Sequence, residues 1–426
     1  MKELKYRKLT NLIIYLLIAN CFLANIGLYD HRSSIEICVS IILMTPLVIG
    51  NNKGKYDFNF NSLIKLCVII CLIIIGIMYA VSGIRFRVPT YCVLFLLFAG
   101  CFVLYLLKRI DLEQITDSCT KAMVFCSFAV STVSIMLVPL TASQYEGIFD
   151  NPNRLGEMIA AAVVAHIYQY EKTNNIKYKI FILISFGMAI SLMLYSRSRT
   201  ALLAICCIAL IYLIYNIKNR YKTGKKLIIF VTSIIVMLLI TFIMVDNVAR
   251  VISNHYDIKL TNSTLEQEEI KKTEELEVAD VIESSLGRYQ KGITDGSSFT
   301  SGRIEIWKEY FKNIEIMGHA PDKLSISYNN QIIEANAHNS FLQISYQAGG
   351  IAGVAYLLIT ILGFVWSSYM FIKKKNKDVL LCTLIMLNGI IFCLLSNVIT
   401  PTTSFSLILM WFIVLPNMVK PKMDYI

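Results

Sequence analysis

The chain has 426 residues, of which 56% are hydrophobic and 16% charged, with a net charge of +11, and its mean hydropathy is +0.60. That much apolar surface exceeds what a soluble core can bury, so the composition excludes a soluble enzyme and predicts an all-α polytopic membrane protein. The positive balance is of the size that membrane anchoring requires and calls for no nucleic acid.

Apolar runs able to cross a hydrocarbon layer of roughly 30 Å begin near residues 10, 34, 63, 88, 121, 155, 178, 200, 226, 344, 378 and 402, which predicts about 12 transmembrane helices. The run from Leu63 to Gly83 and that from Leu227 to Val245 are the cleanest. The run from Leu155 to Tyr170 is short and holds Glu157 and His166. The first run is followed by further spans rather than by a small-residue cleavage site, so it is expected to stay as an anchor. The chain then divides into residues 1–245 with helices 1 to 9, a large extracytoplasmic loop with short helices at 246–343, and residues 344–426 with helices 10 to 12.

Lysines fill the N-terminus and alternate short loops, as in Lys53 and Lys55, Lys172 and Lys177, and Lys373 to Lys375. By the positive-inside rule those loops and both termini are cytoplasmic. The opposite short loops carry Arg32, Arg85, Arg87, Arg154, Arg197 and Arg199 and no lysine. A planar guanidinium binds phosphate oxygens in pairs whereas an ammonium is a hydrated point charge, so the bias points to a phosphorylated substrate at the outer membrane surface.

Three outer segments follow in chain order. Asn151-Pro152-Asn153 makes a turn into the sixth span. Ser196-Arg197-Ser198-Arg199-Thr200 is a hairpin so short that both arginines lie at span ends, where an arginine is an anchor, a paired group or a functional one. The large loop opens with an acid-rich stretch, Leu265 to Leu286, that reads as a solvated helix. It continues with a helix capped by Ser301, whose apolar residues Ile304, Trp307, Phe311 and Ile314 share one face and whose first turn carries Arg303. A cation there gains nothing from the helix dipole, which suggests pairing with a bound anion. The loop ends through Gly318, Pro321 and His338-Asn339 at Gly349, Gly350 and Gly353, glycines that permit close helix approach. His338 at the membrane boundary suits a general base, although a lone histidine there is more often an interfacial side chain. The twelve cysteines lie almost entirely in spans, with no Cys-x-x-Cys pair and none in the large loop, so no disulfide or thiolate metal site is expected there.

Together these motifs resemble the O-antigen ligase and O-antigen polymerase family of bacterial membrane glycosyltransferases. The resemblance lies in the Asn151-Pro152-Asn153 turn, Ser198-Arg199 at the tight hairpin, and a large loop carrying Arg303, Trp307, Gly318, His338-Asn339 and the Gly350-x-x-Gly353 spacing. It is specific over residues 145–355; Thr200 stands where the family often has glycine.

The resemblance implies metal-independent, inverting transfer of a glycan from an undecaprenyl-pyrophosphate carrier, without cofactor. His338 would be the catalytic base, Arg199 and Arg303 would hold the pyrophosphate with support from Arg197, Asn339 would orient substrate or the imidazole, and Asn153 would orient substrate. Flippase and chain-length regulator proteins are the implied partners beside the lipid-linked oligosaccharide and membrane lipids. Between the two family activities, the lysine-, isoleucine- and asparagine-rich composition and the cysteine-free loop favour a capsule or exopolysaccharide polymerase. The alternatives are a ligase moving finished polymer to lipid A core or another acceptor and, in another class, a polysaccharide or lipid-linked oligosaccharide transporter. Spans nearly free of charge and the position of the large loop disfavour transport.

Overall fold

The computed structural model describes residues 2–26, 33–49, 62–108, 111–138, 144–219, 239–245, 247–248, 251, 303–319, 323–328, 331–374 and 376–419. In chain order the helices are α1 Lys2–Leu23, α2 Ser33–Ile49, α3 Leu63–Phe86, α4 Pro89–Leu107, α5 Leu112–Leu137, α6 Pro152–Lys172, α7 Ile176–Ser196, α8 Arg199–Asn219 and α9 Arg303–Lys312. An antiparallel hairpin, β1 Leu324–Tyr328 and β2 Gln331–Ala335, follows, then α10 Ser340–Ala348, α11 Gly350–Lys374, α12 Lys377–Leu395 and α13 Phe405–Val419. Seven of the described helices are long and apolar enough to cross a membrane: α3, α4, α5, α7, α8, α11 and α12. The chain is a polytopic, helical membrane protein.

Contacts divide it into two compact units. One comprises Met1–Ala24, Tyr29–Ala122 and Gly302–Ile426, the other Asn25–Leu28 and Met123–Ser301. In the first unit α3 packs on α4 and α11, and α10 packs on α11 and against α3 and α12. Its centre is aromatic. Trp411 is fully buried, with ring centroids 4.9 Å from Phe102 and 5.3 Å from Phe98. These three rings sit on two π-helical stretches, Leu96–Phe102 within α4 and Met410–Val414 within α13. A π turn widens the helix locally and shifts the angle at which side chains leave it.

In the second unit α6 packs on α7 and α8. The sixth run is longer than the sequence indicated: α6 has 21 residues, and Glu157 and His166 are both buried in it. Both ring nitrogens of His166 are hydrogen-bonded, one to the Ala162 carbonyl at 2.5 Å and the other to Ser185 Oγ at 2.7 Å. A polar side chain inside a helical bundle is tolerated when satisfied in this way. Of the ninth run only the end is described: residues 239–245 are helical, and Phe242 stacks on Tyr195 at 5.4 Å.

Three features differ from the sequence reading. The large loop contains the β1–β2 hairpin as well as helix. The tenth run is broken, since α10 stops at Gly349, whose φ of +108° is closed to ordinary L side chains, and the long α11 starts after it. A Cβ on Gly349 would also strike the Ile316 carbonyl. The expected acid-rich helix at Leu265 to Leu286, the Ser301 cap, Pro321 and Arg32 lie outside the described residues.

Candidate functional site

The second unit joins the Asn-Pro-Asn turn to the short hairpin. Asn151 caps α6, its Oδ1 accepting from the Asn153 N–H at 2.8 Å, and Pro152 supplies the fixed φ of the first turn. Asn153 Oδ1 then accepts from the Ser198 hydroxyl at 3.0 Å. Helix α8 can come this close because residue 156 is glycine: a Cβ there would lie 2.8 Å from the Cβ atoms of Ser198 and Ala201.

Arg197 ends α7 in the left-handed conformation, φ +51°, and reverses the chain so that α8 starts at Arg199. Arg197 and Arg199 are both half-buried. Thr200, where the family often carries glycine, is helical and buried, and its φ is not positive. The left-handed residue of this hairpin is Arg197, so the departure at Thr200 adds no backbone strain. Arg154 donates to the buried Glu157 carboxylate at 3.4 Å.

The first unit assembles the other motif. Helix α9 carries Arg303 at its start, then Trp307 and Tyr310. Trp307 Nε1 donates to the Ala337 carbonyl at 2.8 Å, and the Tyr310 hydroxyl donates to the Ala335 carbonyl at 2.9 Å. The Ala337 N–H donates to Gln343 Oε1 at 2.9 Å. Tyr310, Ala337, Leu342 and Tyr346 form a buried cluster flanked by Ile306, Trp307, Ile314 and Leu324. Both backbone groups of Ala337 are thereby held by side chains of α9 and α10, and His338 comes next.

His338 is exposed and left-handed, φ +46°. A non-glycine residue pays conformational energy there, and such outliers gather at functional sites. Asn339 follows in extended conformation as the cap of α10, its Oδ1 accepting from the N–H groups of Phe341 at 3.0 Å and Leu342 at 3.1 Å. Its Nδ2 donates to the Leu394 carbonyl at 3.3 Å. The cap thus uses the amide that the sequence reading assigned to orienting substrate or the imidazole. Desolvation of the imidazole and, second, the positive charge of Arg303 hold the pKa of His338 below the ordinary histidine value. A histidine so placed is neutral at neutral pH and free to accept a proton.

Arg85 and Arg87, also expected to face anions, end α3. Arg85 pairs with Glu315 at 3.5 Å, and Arg87 is the left-handed cap at φ +58°. Glu315 also lies 3.6 Å from His319 Nε2, and the His319 ring stacks on Tyr346 at 4.8 Å. Sequence reading did not find Gln343, Glu315 or His319. Beside them an apolar cavity of about 330 Å³ is lined by Ile314, Glu315, Ile316, Gly350, Ile351 and Val354.

The protein is thus a polytopic helical membrane protein whose loop places an imidazole of lowered pKa under the charge of Arg303. Residues 183–357 match the family model described as O-antigen ligase. The matched segment includes Arg197, Ser198, Arg199, Arg303, Trp307, His338 and Asn339 and is similar to that family over less than half of the chain. Comparison with curated proteins finds no match.

Proposed function

We propose that the protein polymerises oligosaccharide repeat units carried on undecaprenyl pyrophosphate, at the outer face of the cytoplasmic membrane with both termini inside. His338 takes the proton of the acceptor hydroxyl as that oxygen bonds to the anomeric carbon of the donor. The bond from that carbon to the pyrophosphate oxygen breaks, and undecaprenyl pyrophosphate leaves with the electron pair. Attack opposite the leaving group inverts the anomeric centre. Arg303 neutralises the charge that grows on the leaving group, and the resemblance to the ligase and polymerase family assigns Arg199, with support from Arg197, to the same pyrophosphate, so a metal ion is not required. Asn339 acts through the backbone by fixing the start of α10 beside His338, and Asn153 acts by holding the Ser198 end of the arginine hairpin.

The observation that carries this reading is His338 itself, strained into a left-handed turn, neutral, and under the charge of Arg303. The apolar cavity at Ile316 and Val354 is chemically suited to a lipid chain.

The same chemistry serves a ligase, which differs only in its acceptor. Incubation of the reconstituted protein with the carrier-linked repeat unit alone separates the two: a polymerase gives a ladder of longer glycans on a gel, and a ligase gives product only after a second acceptor is added. Carrier-linked substrate that changes sides of the bilayer without elongation would instead fit a transporter.

A further inference from the structure

The segment between α12 and α13 plays no part in the mechanism above and lies outside the matched residues 183–357. Residues 396–404 read Ser-Asn-Val-Ile-Thr-Pro-Thr-Thr-Ser. Two of their backbone groups close on one side chain. Ser340 Oγ donates to the Ser396 carbonyl at 3.3 Å and accepts from the Val398 N–H at 3.0 Å. Asn397, between those two anchors, is therefore fixed against the start of α10, and Ser340 is two residues from His338. The bond from Asn339 to the Leu394 carbonyl ties the same ends together.

The chemistry of the segment is uniform. No charged residue occurs between Asp378 and Lys420. Asn397 and Thr400 are partly exposed, while Thr402 is 0% exposed. Asn397 Oδ1 and Thr402 Oγ1 are buried and have no hydrogen-bond partner among the described residues. Thr402 is closed to any ligand, whereas Asn397 is partly exposed, so its unpartnered Oδ1 fits a place where a ligand supplies the hydrogen bond.

We propose that this segment is the acceptor-sugar subsite, in which Asn397 and Thr400 bind hydroxyl groups of an uncharged sugar and bring its nucleophilic hydroxyl to His338. The role rests on the glycosyl-transfer reading above. An amide and a hydroxyl meet a polyol with both donors and acceptors. A uronate carboxylate would lose its water against this wall with no cation on the segment to receive it. Arg303, beside His338, is left to the pyrophosphate.

The test uses the full-length protein in lipid nanodiscs. Its own carrier-linked repeat unit is the donor, and the same oligosaccharide on a short alkyl chain, able to accept but not to donate, is titrated as acceptor. Asn397→Ala should raise KM for the alkyl glycoside about tenfold, the loss of one hydrogen bond to substrate, with the effect on KM rather than kcat. Thr400→Val, which keeps the side-chain shape, should act in the same direction and guards against misfolding of the first variant. An acceptor ending in a uronic acid should be used poorly by the wild type. Unchanged KM in both variants, a fall in kcat alone, or equal use of the uronic-acid acceptor would overturn the subsite. A wild-type protein that transfers to neither lipid-linked nor alkyl acceptors would overturn the glycosyl-transfer reading instead.

Discussion

Trp307 Nε1 donates to the carbonyl of Ala337 at 2.8 Å, which fastens the helix that begins with Arg303 to the residue just before His338. The cation and the imidazole are thus held by one short piece of structure. Trp307→Phe keeps an aromatic ring and removes this bond. It should lower thermal stability in detergent by about 1 kcal/mol. Transfer should fall further than that loss of folded protein accounts for. Retention of full activity would mean that the bond does not set the site.

The pH dependence follows from the depressed pKa of His338. A base must be neutral, so activity should hold down through about pH 6.5, the ordinary histidine value, and decline below it. Arg303→Gln removes a charge that disfavours the imidazolium, so the acid limb should move to higher pH. Arg303→Lys keeps the charge and should leave the limb in place while weakening donor binding, because the fork is lost. For stability the sign is the same. The unfolded state binds the proton more tightly, so the contribution of His338 is present above about pH 6.5. It is lost as the pH falls from there toward the folded pKa. Initial rates of the three proteins between pH 5 and pH 8 check the activity limbs, and coincident limbs for wild type and Arg303→Gln would contradict the pairing.

Strain and chemistry can be separated at residue 338. Asparagine tolerates the left-handed conformation better than most residues. His338→Asn should therefore keep the melting temperature of the wild type and abolish transfer. A large drop in melting temperature would make the histidine structural.

Gly156 sets the approach of α8. A Cβ at this position would sit 2.8 Å from Ser198 and Ala201, and Gly156→Val adds two further carbons. Overpacking of this kind costs about 1–3 kcal/mol. It should also part Ser198 from Asn153 and displace Arg199, lowering donor affinity. Donor affinity and melting temperature, measured together, should both fall; unchanged affinity would show that the hairpin does not depend on this contact.

Asn339→Ala removes the cap of α10 and should cost about 0.5–2 kcal/mol. Asn339→Ser restores a capping oxygen and should recover most of the stability. If it recovers activity in step, Asn339 acts through the position of His338; stability without activity would give its amide a direct contact with substrate.

Much of the helical frame was legible in sequence because hydropathy is a local property. The described helices that begin at Leu63, Pro89, Ile176, Arg199 and Lys377 start within two residues of the apolar runs that predicted them. The hairpin was overlooked although Leu324, Ile326 and Tyr328 alternate with polar serines ahead of Asn329-Asn330, which is a strand and turn signal. The break at Gly349 was hidden because a glycine between two apolar helical stretches does not reveal its φ. In the candidate site, the residue types at His338 and Arg303 were readable, but what holds them was not. Ala337 depends on Trp307 and Gln343, and Ser340 is joined to residues more than fifty positions away. Such bonds leave no periodic trace. The arginine bias was likewise only part of the account, since Arg85 and Arg154 are paired with Glu315 and Glu157.

The most direct test is a single-turnover assay of wild type and His338→Asn in nanodiscs, with radiolabelled carrier-linked repeat unit and with binding and elongation read from the same samples. Removal of the base alone predicts that the variant binds the donor as the wild type does and forms no elongated glycan. Elongation by His338→Asn, or loss of donor binding equal to its loss of elongation, would contradict the assignment of His338 as the base.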